Sequence, residues 1–149
     1  MKRRWTSCGA ARGVLLLILT LTVFRALPAA AVSARFYGLT VELPDGWSVK
    51  QGEQVVIYNE NEKSAAVIVD QLDEGSARAV AEDLAEAVGV DKKDIRSDGK
   101  GALELNFVQN GEPVGARVLQ KNESVLMIYS IGESTQANQI ARSLGAKRK

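Results

Sequence analysis

Side chains able to do chemistry are sparse in this chain, and what is missing decides as much as what is present. Its 149 residues include no histidine and a single cysteine, Cys8. The commonest general base and the commonest metal ligand are therefore absent. So is any thiolate or disulfide beyond the first few residues. Ser124, Ser130, Ser134 and Thr135 supply hydroxyls. Without histidine a serine nucleophile needs a lysine base, and none of these four has a lysine three residues on. No Gly-x-Ser-x-Gly elbow and no phosphate-cradling glycine loop occurs.

Carboxylates are the remaining reactive class. Asp91, Asp94 and Asp98 lie in one polar stretch ending at Gly99. Oxygen ligands in a loop suit calcium, but the spacing is not that of an EF-hand, and Lys92, Lys93 and Lys100 intrude. A solvated loop is the better reading, and no metal site is expected. Glu60 and Glu62, beside Asn59 and Asn61, read as a hairpin tip. Glu82 and Glu86 stand four apart on the exposed face of a helix, whereas acid–base work by paired carboxylates requires burial. Asp70, Asp73 and Glu104 are the candidates if the protein were a carboxylate-based hydrolase. The primary expectation is no catalytic residue and no cofactor. Two aromatics are the candidate ligand-binding residues, Trp47 and Tyr58, which would flank a groove. For Trp47 a core plug at the start of a strand is the heavier reading.

The first 34 residues hold Lys2, Arg3, Arg4, Arg12 and Arg25 and no acid. Val14–Phe24 is an apolar run shorter than the ~20 residues that span a bilayer. Leu27-Pro28 ends it, and small residues follow. This is the layout of a secretory signal peptide. Cleavage after Ala31 or after Ala34 fits, giving a leader over 1–34 and one domain over 35–149 with a short basic tail. The expected location is periplasmic or secreted. A retained leader would instead tether the protein to a membrane. Residues 35–149 carry 14 basic and 18 acidic groups, a net of −4. A mildly acidic domain argues against nucleic acid as a partner.

The elements that would position these residues follow from period. Leu39, Val41 and Leu43 alternate with Thr40 and Glu42, a half-buried strand. Pro44-Asp45-Gly46 ends it in a tight turn, and Trp47 restarts the chain. Trp47–Val49, Val55–Tyr58 and Ala65–Val69 continue as a meander. From Ser76 the period becomes helical: Ala77, Val80, Ala81, Leu84 and Val88 share a face, with Ser76 as N-cap and Gly89 just past the end. Leu103, Leu105 and Phe107 share a strand face. Asn110-Gly111 predicts a hairpin, and Val114, Ala116 and Val118 return. Val125–Ile131 is almost continuously apolar, as suits a central strand covered on both faces. Ala137, Ile140, Ala141 and Leu144 mark a last helix, ended by Gly145. The class is α+β: an antiparallel sheet meander flanked by two helices, in the order strands, helix, strands, helix, as a three-layer sandwich.

The opening Tyr37-Gly38-Leu39-Thr40-Val41-Glu42-Leu43-Pro44-Asp45-Gly46-Trp47 resembles the apolar strand and Pro-x-Gly-Trp start of the Mog1/PsbP-like and DcrB-like domains. The order of elements over about residues 36–145 is also similar. The resemblance implies a small exported binding or accessory module. It carries over no catalytic residue. The partner it implies is a protein or small ligand of the cell envelope, with membrane contact only through the leader if that is retained.

Overall fold

The computed structural model describes residues 32–62 and 65–145. The apolar run Val14–Phe24, Ala31 as one of the two expected cleavage points, and the basic tail lie outside the described residues.

The chain opens with a hairpin. β1 (Val32–Phe36) pairs with β2 (Leu39–Leu43) through five rungs, from Val32 opposite Leu43 to Phe36 opposite Leu39. Its two-residue turn needs positive φ at both positions, the primed geometry that matches strand twist. Tyr37 (φ 48°) and Gly38 (φ 68°) supply it. The domain start expected at residue 35 falls inside β1. Pro44-Asp45-Gly46 turns as the residues predict: Trp47 N donates to the Pro44 carbonyl at 3.2 Å, and Gly46 takes φ 83°, the position a type II turn reserves for glycine.

Seven strands follow in one antiparallel sheet. They are β3 (Trp47–Gln51), β4 (Val55–Asn59), β5 (Ala66–Leu72), β6 (Arg96–Ser97), β7 (Ala102–Gln109), β8 (Glu112–Lys121) and β9 (Ser124–Ile131). Their spatial order is β3-β4-β5-β9-β8-β7-β6. The two runs of hairpins thus meet along β9, which pairs with both β5 and β8. Every residue of β9 from Val125 to Ile131 is buried, as its apolar run requires. Asn110 (φ 52°) and Gly111 (φ 82°) form the expected turn between β7 and β8.

Two helices complete the layers. α1 (Ala77–Val88) is capped by Ser76, whose side chain accepts from Ala79 N, and closed by Gly89 at φ 76°. α2 (Thr135–Ser143) is capped by Ser134. α1 packs on β7, β8 and β9, and α2 packs on β9, β5 and β2. The sheet therefore separates two cores. Val80, Leu84, Ile68, Val118, Val125 and Tyr129 belong to the α1 side. Trp47, Ile57, Val67, Leu126, Ile128, Ile140 and the hairpin residues Phe36, Val41 and Leu43 belong to the α2 side. Helix–sheet–helix layering is the arrangement expected from the sequence, with the β1–β2 hairpin as an added part of one layer.

Candidate functional site

Register fixes which side chains meet. One rung crosses the whole sheet: Gln51, Val55, Val69, Ile128, Arg117, Glu104 and Arg96 stand side by side on the α2 face. The buried cation of that rung is Arg117. Its Nε donates to Glu104 Oε1 at 3.0 Å and its Nη2 to Asp98 Oδ2 at 2.8 Å. Its Nη1 donates to the Ala141 carbonyl at 2.8 Å, beside that of Leu144. The planar guanidinium thus satisfies two carboxylates and the C-terminal carbonyls of α2 together. Burial pushes the Asp98 carboxyl up. Hydrogen bonds from Lys100 N and Ala102 N and the Arg117 guanidinium outweigh that and hold it below the usual carboxylate range.

Beside this clamp, at the same end of α2, lies a groove of about 740 Å³. Residues Gly38–Glu42, the turn and strand of the hairpin, form one wall. Leu119–Asn122 at the end of β8 form the other, with Leu126 below and Ser143 and Gly145 at the helix end. Leu39, Val41, Leu119 and Leu126 supply its apolar lining. Lys121 ties the walls together, its Nζ donating to the Tyr37 carbonyl across the turn. Volume and lining fall within the range of small-ligand clefts, which run from about 300 to 1,000 Å³.

The chain's likenesses to known proteins concern its layout. It is similar in fold to cyanobacterial PsbP (CyanoP) from Synechocystis sp. PCC 6803. The TM-score is 0.46 at 13% identity, covering 85% of this chain and 99% of that one. A protein from Bacteroides thetaiotaomicron gives a TM-score of 0.48 at 11% identity, covering 74% of this chain. This chain spans 46% of the length of that protein. No family model and no curated protein sequence matches. Both likenesses are of layout alone, and nothing about a site is taken from them.

Trp47 and Tyr58 do not share a groove. Trp47 pairs with Asn59 in the register, so Tyr58 faces the other way. Trp47 is 1% exposed in the α2-side core, its indole N–H donating to Gln136 Oε1 at 2.9 Å. Tyr58 is half-buried against the α1-side core. The three candidate carboxylates are also apart. Asp70 stands opposite Met127 on the α1 face, accepting from Gln54 Nε2 at 3.2 Å. Glu104 lies on the other face with Arg117, and Asp73 is exposed. The Ser130 hydroxyl is taken up by Asn138 Oδ1 at 2.8 Å. Ser124 accepts from Gln71 Nε2, and Ser134 caps α2.

The polar loop divides. Asp91 caps a short 3₁₀ turn (Lys92–Asp94) through Lys93 N, while Asp98 turns inward to Arg117. Among the described residues no cluster of three acidic side chains is placed to hold a metal. Asn59 Oδ1 accepts from Asn61 N at 2.8 Å and Glu62 N, so the hairpin tip is organised by its own side chain. Glu82 pairs with Arg78 at 2.7 Å on the solvent side of α1.

Sequence reading passed over three features. Arg117 stood in an alternating strand with nothing to mark it as buried. Its one signal was the unpaired polar position between Ala116 and Val118. Lys121 is one charge at the end of a strand, with no local signal of its role. Ser97 and Lys100 have a Ser-x-x-Lys spacing, which on a helix would bring the side chains together. Here they border an exposed turn in which Ser97 Oγ accepts from Gly99 N.

Proposed function

We propose that this is an exported accessory domain of the cell envelope. It binds a protein segment or small ligand in the groove between the β1–β2 hairpin and the end of β8, without catalysing a reaction. The groove carries the reading. It has an apolar lining and a polar rim, and the acids singled out for catalysis lie elsewhere. The apolar leader segment with its basic start supports export.

Of the two processing points, we propose Ala31. Cleavage there leaves β1 whole, whereas cleavage after Ala34 removes Val32, Ser33 and Ala34, three of its five rungs. N-terminal sequencing of the exported protein distinguishes the two, and an intact leader would sink both.

A photo-crosslinking residue at Thr40, on the groove wall, tests the binding reading in the envelope. A crosslinker at Asp94 serves as control. A discrete adduct from position 40 and none from position 94 is expected. Equal labelling from both positions, or turnover of ester, peptide or glycoside substrates by the purified domain, would overturn it.

A further inference from the structure

We infer that the groove takes an extended peptide segment of a partner protein, which adds to the outer edge of β2 as a third strand. The inference rests on the groove reading above and names its occupant.

Because the turn has two residues, Phe36 and Leu39 form the closing hydrogen-bonded pair. Antiparallel pairing alternates. Val41 therefore turns its N–H and C=O toward β1. Thr40 and Glu42 turn theirs to the opposite edge, which lines the groove. Among the described residues those outward groups have no backbone partner, and the hairpin has only two strands. An exposed edge of this kind accepts a strand, with affinity from main-chain hydrogen bonds and selectivity from alternate side chains.

The side chains define the partner. A residue opposite Thr40 or Glu42 shares their solvent-facing side. Glu42 is exposed and has no ion-pair partner among the described residues, whereas the ammonium of Lys121 is already held by Tyr37. A basic residue is thus favoured opposite Glu42. The intervening residues face Leu119 and Leu126 and are apolar. The occupant is an extended peptide with apolar residues at alternate positions and a basic residue opposite Glu42.

The test uses the purified exported protein and a fluorescein-labelled hexapeptide of alternating lysine and valine, read by anisotropy. Saturable binding is expected. The peptide runs antiparallel to β2, so N-methylation of the lysine amides, which then face β2, weakens it at least about tenfold, and N-methylation of the valine amides does not. Thr40→Pro, which removes one outward N–H, abolishes binding while Thr40→Ala retains it, with thermal melts confirming that both fold. Glu42→Lys shifts preference to a valine–glutamate peptide. Binding that ignores lysine N-methylation, or no binding of either peptide, would overturn the inference. So would binding that requires removal of residues beyond Gly145, or a dimer that Thr40→Pro dissolves. If peptide binding fails while the Thr40 crosslink persists, the groove reading survives and strand addition falls. If both fail, both fall.

Discussion

Arg117 is a buried clamp between three elements. It joins the loop at Asp98, the strand at Glu104 and the end of α2, with its side chain 11% exposed and that of Asp98 13%. Arg117→Met keeps the aliphatic stem but leaves two carboxylates and the α2 carbonyls without their donor. We expect a loss of about 2–4 kcal/mol in urea unfolding, since removing one partner of a buried pair strands the other. Adding Asp98→Asn and Glu104→Gln should recover part of it. Asp98 alone makes a second prediction. Its folded carboxyl lies below the ordinary range, so its stabilisation is full above the ordinary aspartate value of about 3.9 and is lost as pH falls through the lower folded value. Asp98→Asn should therefore be less stable than the parent at pH 6, with the gap closing below about pH 3.9. A gap independent of pH would contradict the assignment.

Among the elements, the β1–β2 hairpin is the one that the two proposed processing points would treat differently. It covers the α2-side core with Phe36, Val41 and Leu43, exposed by 5%, 2% and 2%. Ala34 and Leu39 pack against that core as well. A domain beginning at Val32 should be more stable than one beginning at Arg35 by about 1–2 kcal/mol, from three cross-strand pairs at a few tenths to one kcal/mol each. Parallel thermal melts of the two forms would measure it. Equal midpoints would show that β1 contributes nothing before residue 35. The hairpin also forms one wall of the groove, so the shorter form should bind a groove ligand more weakly.

Across the whole molecule the two cores share one central strand. Val125, Met127 and Tyr129 face α1, while Leu126 and Ile128 face α2. Loosening either face removes the support of β9 from the other. Unfolding should thus be a single transition. Trp47, the only tryptophan of residues 32–149, reports the α2-side core. Its fluorescence and the far-UV circular dichroism should give coincident urea curves for the mature protein. Separated midpoints would mean that the layers melt independently.

The sequence by itself determined most of the elements from β2 onward, because they follow from local rules. Period two and period 3.6, Ser76 and Gly89 at the ends of α1, and Asn110-Gly111 between β7 and β8 each act within a few residues. The apolar run of β9 even declared its central place, since a strand buried on both faces has no polar side to show. Only the tertiary structure decided what the elements bring together. β9 inserts between β5 and β8, and no local signal encodes that long-range pairing. A shift of one residue in register sends Trp47 and Tyr58 to opposite faces, which a pattern of apolar residues does not reveal. Arg117 reads in sequence as one more charge, and it becomes a clamp because burial leaves it no water to bond. The groove is built where Lys121 reaches the Tyr37 carbonyl, 84 positions away, beside a hairpin whose first strand the expected domain start at residue 35 had cut through.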